Sequence, residues 1–339
     1  MNDSRKIIFS DTTLRDGNHA LQHQLTEQQI QRYCTAIDKA GVDIVEVGHG
    51  NGLGASSLQV GLSKVSDSNM LTIAREYLKQ SKLGVHVIPG FATLERDIKP
   101  AIECGVDVFR IASHCTEADI TEKHITFCRS EGRTVFGVLM MSHMVDKETL
   151  YHQAKQMQIF GAEAIILMDS AGNYLPDNVI EKVGYLVDRL EVAVGFHAHN
   201  NLGLSVANSI AAVQSGASII DGCVRGFGAG AGNTQIEVLA AVFDLMGFKT
   251  GVNLFSLLDA ADLAEECVIN KIPTISSDSI ISGMAGVFSG FLKPVKRIAE
   301  EYHVDSREVF LELGARKVLA GQEDLIIEVA KDLKEKSNE

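Results

Sequence analysis

Short apolar runs rich in β-branched residues recur along the chain, at 6–10, 42–47, 83–88, 106–112, 134–140, 164–168, 192–196 and 217–223. Each is nearly continuous rather than alternating, the pattern of a strand buried on both faces of a parallel sheet. Between them, stretches such as 27–39, 68–80 and 176–190 carry apolar residues three and four apart, which gives a helix one hydrophobic face. Gly41, Gly84, Gly105 and Gly161 precede strand runs, where left-handed helix C-caps are expected. Eight strands alternating with helices predict an α/β fold, a closed (β/α)8 TIM barrel in preference to an open doubly wound sheet. No Gly-x-Gly-x-x-Gly follows the first strand, which weakens the dinucleotide-binding form of the open alternative.

From about Val252 the rhythm changes. The stretches 254–267, 291–302, 306–313 and 322–334 are all helical in spacing, with no strand run among them. They predict a helical C-terminal lobe, so the chain divides into a barrel at 1–270 and a lobe at 271–339. Ile272-Pro273-Thr274 suits the connection.

Composition narrows the function classes. A net charge of −13 over 339 residues argues against nucleic acid or an anionic membrane surface as a partner. A protein this acidic that handles a small anion must supply positive charge locally. No apolar run approaches the ~20 residues that span a bilayer, and the segment before the first strand lacks a signal-peptide core. The six cysteines form no Cys-x-x-Cys pair, which fits reduced thiols and a cytoplasmic protein.

The chemistry concentrates at two strand ends. His197 and His199, in Gly195-Phe196-His197-Ala198-His199-Asn200-Asn201, follow the seventh run and share one face of the strand. Spacing alone leaves this pair as much at home in ordinary half-buried strand as in a metal site. A carboxylate brought to the same point decides between them. In a closed barrel only strand eight separates strands one and seven, so their ends lie roughly 10 Å apart. Past strand one stand Arg15, Asp16 and His19. Asp16 can complete a site of two imidazoles and one carboxylate for a divalent ion such as Mn²⁺, Mg²⁺, Co²⁺ or Zn²⁺. Arg15 offers a fixed bidentate cation and His19 a group that moves protons near neutrality. Singly, Arg15 could be a surface ion pair, Asp16 a helix cap and His19 a loop residue; together, opposite His-x-His, they read as a site. The glycine loop 226–233 after the eighth run belongs beside it, with no assigned job.

Asp11-Thr12-Thr13-Leu14-Arg15-Asp16-Gly17 together with His197-Ala198-His199-Asn200-Asn201 resembles the metal-dependent barrel lyases related to hydroxymethylglutaryl-CoA lyase and isopropylmalate synthase. Within that group the chain is most similar to the 4-hydroxy-2-oxovalerate aldolases, class II pyruvate aldolases of meta-cleavage (aromatic hydrocarbon) catabolism. The likeness extends through Gly17-Asn18-His19-Ala20, Glu46-Val47-Gly48-His49-Gly50, Thr116-Glu117-Ala118-Asp119 and Gly321-Gln322-Glu323-Asp324, so it covers the whole chain. It implies that Asp16, His197 and His199 bind the metal, usually Mn²⁺, which the 2-keto acid chelates. It further implies that Arg15 stabilises the pyruvate enolate, that His19 takes the C4 hydroxyl proton, and that Ser170 binds substrate. Relatives pair with an acylating aldehyde dehydrogenase through the helical tail, and an oligomer is expected.

Two positions depart from the family. Phe288, in Ala285-Gly286-Val287-Phe288-Ser289, replaces a tyrosine, keeping the pocket wall but losing the hydroxyl. His86, in His86-Val87-Ile88-Pro89-Gly90, replaces a leucine of the third strand; facing the pocket it makes the aldehyde side more polar, facing the helices it does nothing. Rival readings are a Claisen-type acyl-CoA synthase or lyase, against which His19 argues, and a non-catalytic barrel that partners a dehydrogenase.

Overall fold

The structure, a computed structural model, describes residues 6–337. Eight strands form its centre: β1 Ile8–Leu14, β2 Ile44–Val47, β3 Lys82–Val87, β4 Val108–His114, β5 Thr134–Met140, β6 Ala164–Asp169, β7 Ala193–Ala198 and β8 Ile219–Gly222. All pair in parallel in chain order, and β1 closes on β8 through Ile8↔Ile219 to Asp11↔Gly222. The predicted TIM barrel is the observed fold. Its interior is packed with Ile44, Val108, Val138, Ala164, Ile166 and Ile219, so only the mouth at the strands' C-terminal ends is open to chemistry.

Helices cover the outside, each turning its apolar stripe inward. Glu27–Lys39 begins at Thr26, whose hydroxyl accepts the Gln29 N–H while the Gln29 side chain reaches back in a capping box. Its buried face carries Ile30, Tyr33, Cys34 and Ile37, each aliphatic side chain stabilising the fold by ~1.5–3 kcal/mol. All six cysteines are free, and four of them are buried. Among the described residues no helix is long and apolar enough to cross a membrane.

The structure corrects three local expectations. β1 runs on to Leu14 rather than stopping at 10, because its polar residues find partners inside: Asp11 accepts from the Thr13 N–H at 3.0 Å and the Tyr33 hydroxyl at 2.7 Å. Gly84 is no cap. It lies within β3, where an added Cβ would press on Ile44 at 3.0 Å, whereas Gly41, Gly105 and Gly161 do adopt left-handed φ. Two further helices, Ile236–Met246 and Ser277–Met284, escaped the spacing analysis. The first is apolar almost throughout, and the second is rich in serine.

Beyond the barrel, Val287, Phe291, Val295, Val309, Phe310 and Val329 form a separate hydrophobic core of the C-terminal helices. The segment entering that core crosses the barrel mouth. Ser289 donates its N–H to the Ser170 carbonyl at 2.9 Å and its hydroxyl to Asn201 at 3.2 Å. Lys293 donates to the Ala20 carbonyl at 2.7 Å, and His143 meets the Gly286 carbonyl at 3.0 Å.

Candidate active site

The strand ends deliver the polar groups one by one. Arg15 and Asp16 follow β1 directly, where the backbone turns into the short helix Gly17–Ala20. His197 lies in β7, and His199 just beyond it pairs with Asn233 in an isolated bridge. Asp16, His197 and His199 each place a ligand atom within 4.8 Å of the other two, all three residues being buried. His197 Nδ1 lies 3.0 Å from Asp221 Oδ2, which fixes the N–H on that side and turns the Nε2 lone pair inward. His197 Nε2 and His199 Nδ1 are buried, and neither bonds any described protein group. Two bare imidazole nitrogens facing a carboxylate are the donor set of a divalent cation, so these residues fit a metal. Burial opposes the charged form of Asp16, but Arg15 and the nearby imidazoles outweigh it and hold the carboxyl well below its usual range. Burial pushes His199 down to about 4, leaving it neutral and able to ligate at pH 7.

Behind these three residues runs a chain of alternating charges. Asp16 accepts from Arg15 Nη1 at 2.7 Å, and Arg15 Nε donates to Glu46 of β2. Glu46 also contacts Arg110 of β4 at 3.0 Å, and Arg110 forks onto Asp221 of β8. Asp221 returns to His197, closing a ring around the mouth. Its three carboxylates outnumber its two guanidiniums by one. A bound dication reverses that sign, and one monoanionic ligand then balances the site. Arg15 Nη2, buried without a protein partner, offers a donor for such a ligand.

The glycine loop, unassigned from sequence, grips Asp16. The Ala229 N–H and the Asn233 side-chain amide both donate to Asp16 Oδ1 at 2.9 Å. A Cβ on Gly228 would fall 2.6 Å from that oxygen and 2.2 Å from Asn233 Nδ2, so no larger residue fits.

His19 and Phe288 lie on the wall of a cavity of about 790 Å³ that also touches the glycine loop and the C-terminal helices. Burial, with Arg15 nearby, pushes the His19 imidazole below its ordinary pKa despite the Asp16 charge. Phe288 packs edge-on against Phe291, with ring centres 5.7 Å apart. Ser170 is fully buried at the end of β6, where its hydroxyl accepts the Met141 N–H at 2.9 Å. His86 sits in register with Arg110 and belongs to the interior face. It is 2% exposed, its ring bonds no described residue, and burial next to Arg15 and Arg110 holds it neutral.

Sequence reasoning missed Glu46, Arg110, Asp221 and Asn233 as working residues. Asp221 did carry a signal: it is the one charge in its strand run, 217–223, and such a charge must be paired.

The HMGL-like family matches residues 6–264, and the DmpG-like communication domain matches residues 273–335. The chain is 58% identical over 332 residues to the 4-hydroxy-2-oxovalerate aldolase of Spirochaeta aurantia, covering 98% of this chain and 97% of that protein. It is 57% identical over 330 residues to the enzyme of the same name from Pectobacterium atrosepticum, covering 97% and 96%. Among solved structures, the N-terminal domain of a putative aldolase from Bacteroides vulgatus superposes with a TM-score of 0.74 at 22% identity, covering 88% of this chain and 98% of that one. The carboxyl transferase domain of Rhizobium etli pyruvate carboxylase, with pyruvate and biocytin, gives a TM-score of 0.81 at 15% identity, covering 98% and 62%. At those identities the structural likeness speaks to the fold alone.

Proposed function

The chain belongs to the HMGL-like family and, within it, to the 4-hydroxy-2-oxovalerate aldolases, and we propose that it cleaves a 4-hydroxy-2-oxo acid reversibly to pyruvate and a short aldehyde such as acetaldehyde. It is a carbon–carbon lyase that depends on a divalent metal. The ion, which we take to be Mn²⁺, is held by Asp16, His197 and His199 and supplies Lewis acidity at the keto acid.

The protein's own groups do the rest. Arg15 aims its free Nη2 at the C2 oxygen, where negative charge grows as the C3–C4 bond breaks and its electron pair moves into the C2–C3 enolate. His19, neutral at pH 7, takes the proton of the C4 hydroxyl as that carbon becomes the aldehyde carbonyl. A proton returned to C3 then gives pyruvate. Ser170 shapes the keto-acid side from the end of β6. Phe288 walls the aldehyde side without donating a hydrogen bond, and His86 adds an unpartnered polar group to the barrel interior near Arg15, which favours an acceptor aldehyde carrying its own polar substituent.

The observation that carries this reading is the convergence of one carboxylate and two bare imidazole nitrogens beside a free guanidinium nitrogen. The test is pyruvate release from racemic 4-hydroxy-2-oxopentanoate by metal-stripped protein resupplied with Mn²⁺. A rate no higher than that of a His19→Ala control would overturn it.

We further take residues 271–339 as a docking unit for an acylating aldehyde dehydrogenase, supported by the communication-domain match and by the cavity running between that unit and the mouth. Cytoplasmic location and an oligomer of such pairs complete the proposal.

A further inference from the structure

His19 does not stand alone. Its ring meets His23 edge-on at 5.3 Å and 69°, and His23 stacks face to face on His49 at 3.5 Å and 16°. We propose that His23 and His49 are positioning residues, a stacked post that fixes the His19 ring for proton transfer. The inference rests on the role of His19 given above.

The surroundings are built for a post rather than a relay. His49 Nδ1 accepts the Asn51 N–H at 3.0 Å, and its other nitrogen meets the Gly61 carbonyl at 3.1 Å. His23 Nδ1 accepts the Gly50 N–H at 3.3 Å. Rings stacked face to face point no N–H at each other's nitrogen, so no proton passes along the stack. Burial holds His23 down to about 2 and His49 to about 4, so the stacked rings are neutral and do not repel. Two glycines admit the assembly: a Cβ on Gly50 would lie 2.6 Å from the His19 ring, and one on Gly61 would lie 2.5 Å from His23. His23 also holds a left-handed backbone, φ 62°, a cost for a non-glycine residue that the stack explains.

His23→Asn tolerates that backbone but removes the ring, whereas His23→Phe keeps a ring and loses the nitrogens. His49→Gln keeps hydrogen bonding and removes the stacking partner. Misplacing a catalytic group by about an ångström costs up to ~100-fold in rate. We therefore expect His23→Asn and His49→Gln to lower kcat at least tenfold with KM and Mn²⁺ affinity within twofold, and His23→Phe to recover most of the loss. Wild-type kcat in His23→Asn, or a His23→Phe as slow as His23→Asn, overturns the post. If wild-type protein releases no pyruvate, the aldolase reading fails instead. Imidazole ¹³C relaxation of His19 then still tests the post, and unchanged ring order in His23→Asn overturns it.

Discussion

Replacing Asp221 by Asn tests the ion ring where it touches His197, one of the three residues proposed to hold the metal. Asp221 is fully enclosed, carries the Arg110 fork and accepts from His197 Nδ1 at 3.0 Å. Burial resists its charge, yet Arg110 and His197 hold it down to about 2, so it is ionised at working pH. Asparagine offers one acceptor and one donor where the carboxylate offers two acceptors. If its oxygen stays on Arg110, its amide nitrogen faces His197 Nδ1 and drives the imidazole proton to Nε2, the nitrogen proposed to bind the ion. Loss of a partner behind a metal-bound histidine typically costs 10–100-fold in affinity, or about 1.4–2.8 kcal/mol. Arg110 meanwhile keeps only Glu46 as an ionic partner. Leaving a buried charge short of a partner costs ~3–5 kcal/mol of stability, and the remaining carboxylate places this variant at the lower end. Mn²⁺ titration of metal-stripped protein by electron paramagnetic resonance measures the first quantity, and denaturant unfolding without metal measures the second. A variant that binds Mn²⁺ within twofold of wild type would refute the argument, whatever its stability.

Three other outcomes follow from the same geometry. Gly228→Ala forces a Cβ onto the Asp16–Asn233 contact, and Mn²⁺ affinity should fall at least tenfold with the fold intact by circular dichroism. His86→Leu removes the unpartnered imidazole, and the ratio of kcat/KM for a 5-hydroxylated substrate over 4-hydroxy-2-oxopentanoate should drop about tenfold; an unchanged ratio removes His86 from aldehyde selection. His49 is held down to about 4 from an ordinary 6.5, so its stabilising contribution is full above pH 6.5 and is lost as pH falls toward 4. That interval is worth up to ~3 kcal/mol. Asp11 and Asp169, raised to about 6 by burial, run the opposite way and lose their contribution as pH rises through 6. The comparison is therefore wild type against His49→Gln, whose unfolding free energy should change less between pH 6.5 and 4.5.

The barrel was legible because parallel strands buried on both faces leave continuous apolar runs, and the eight runs became the eight strands. Asp16, His197 and His199 could be brought together on paper because closure makes β1 and β7 near neighbours. The ion ring was not legible. Whether Arg110 pairs with Asp221, about a hundred positions away, depends on register across the three strands that separate β4 from β8, which spacing along the chain does not encode. The extent of β1 failed for a related reason: Asp11, Thr12 and Thr13 look like a loop until Tyr33 and the strand neighbours are seen to satisfy them. The orientation of His86 was open from sequence and is settled by its pairing with the inward Arg110.

Ser289, Lys293 and Gly286 are each bonded to a different barrel loop, and Phe288 rides among them on the cavity wall. Such a roof has no slack. Phe288 lies one residue from Ser289 and two from Gly286, so a displacement of the C-terminal helices is expected to shift that ring on the cavity wall as well.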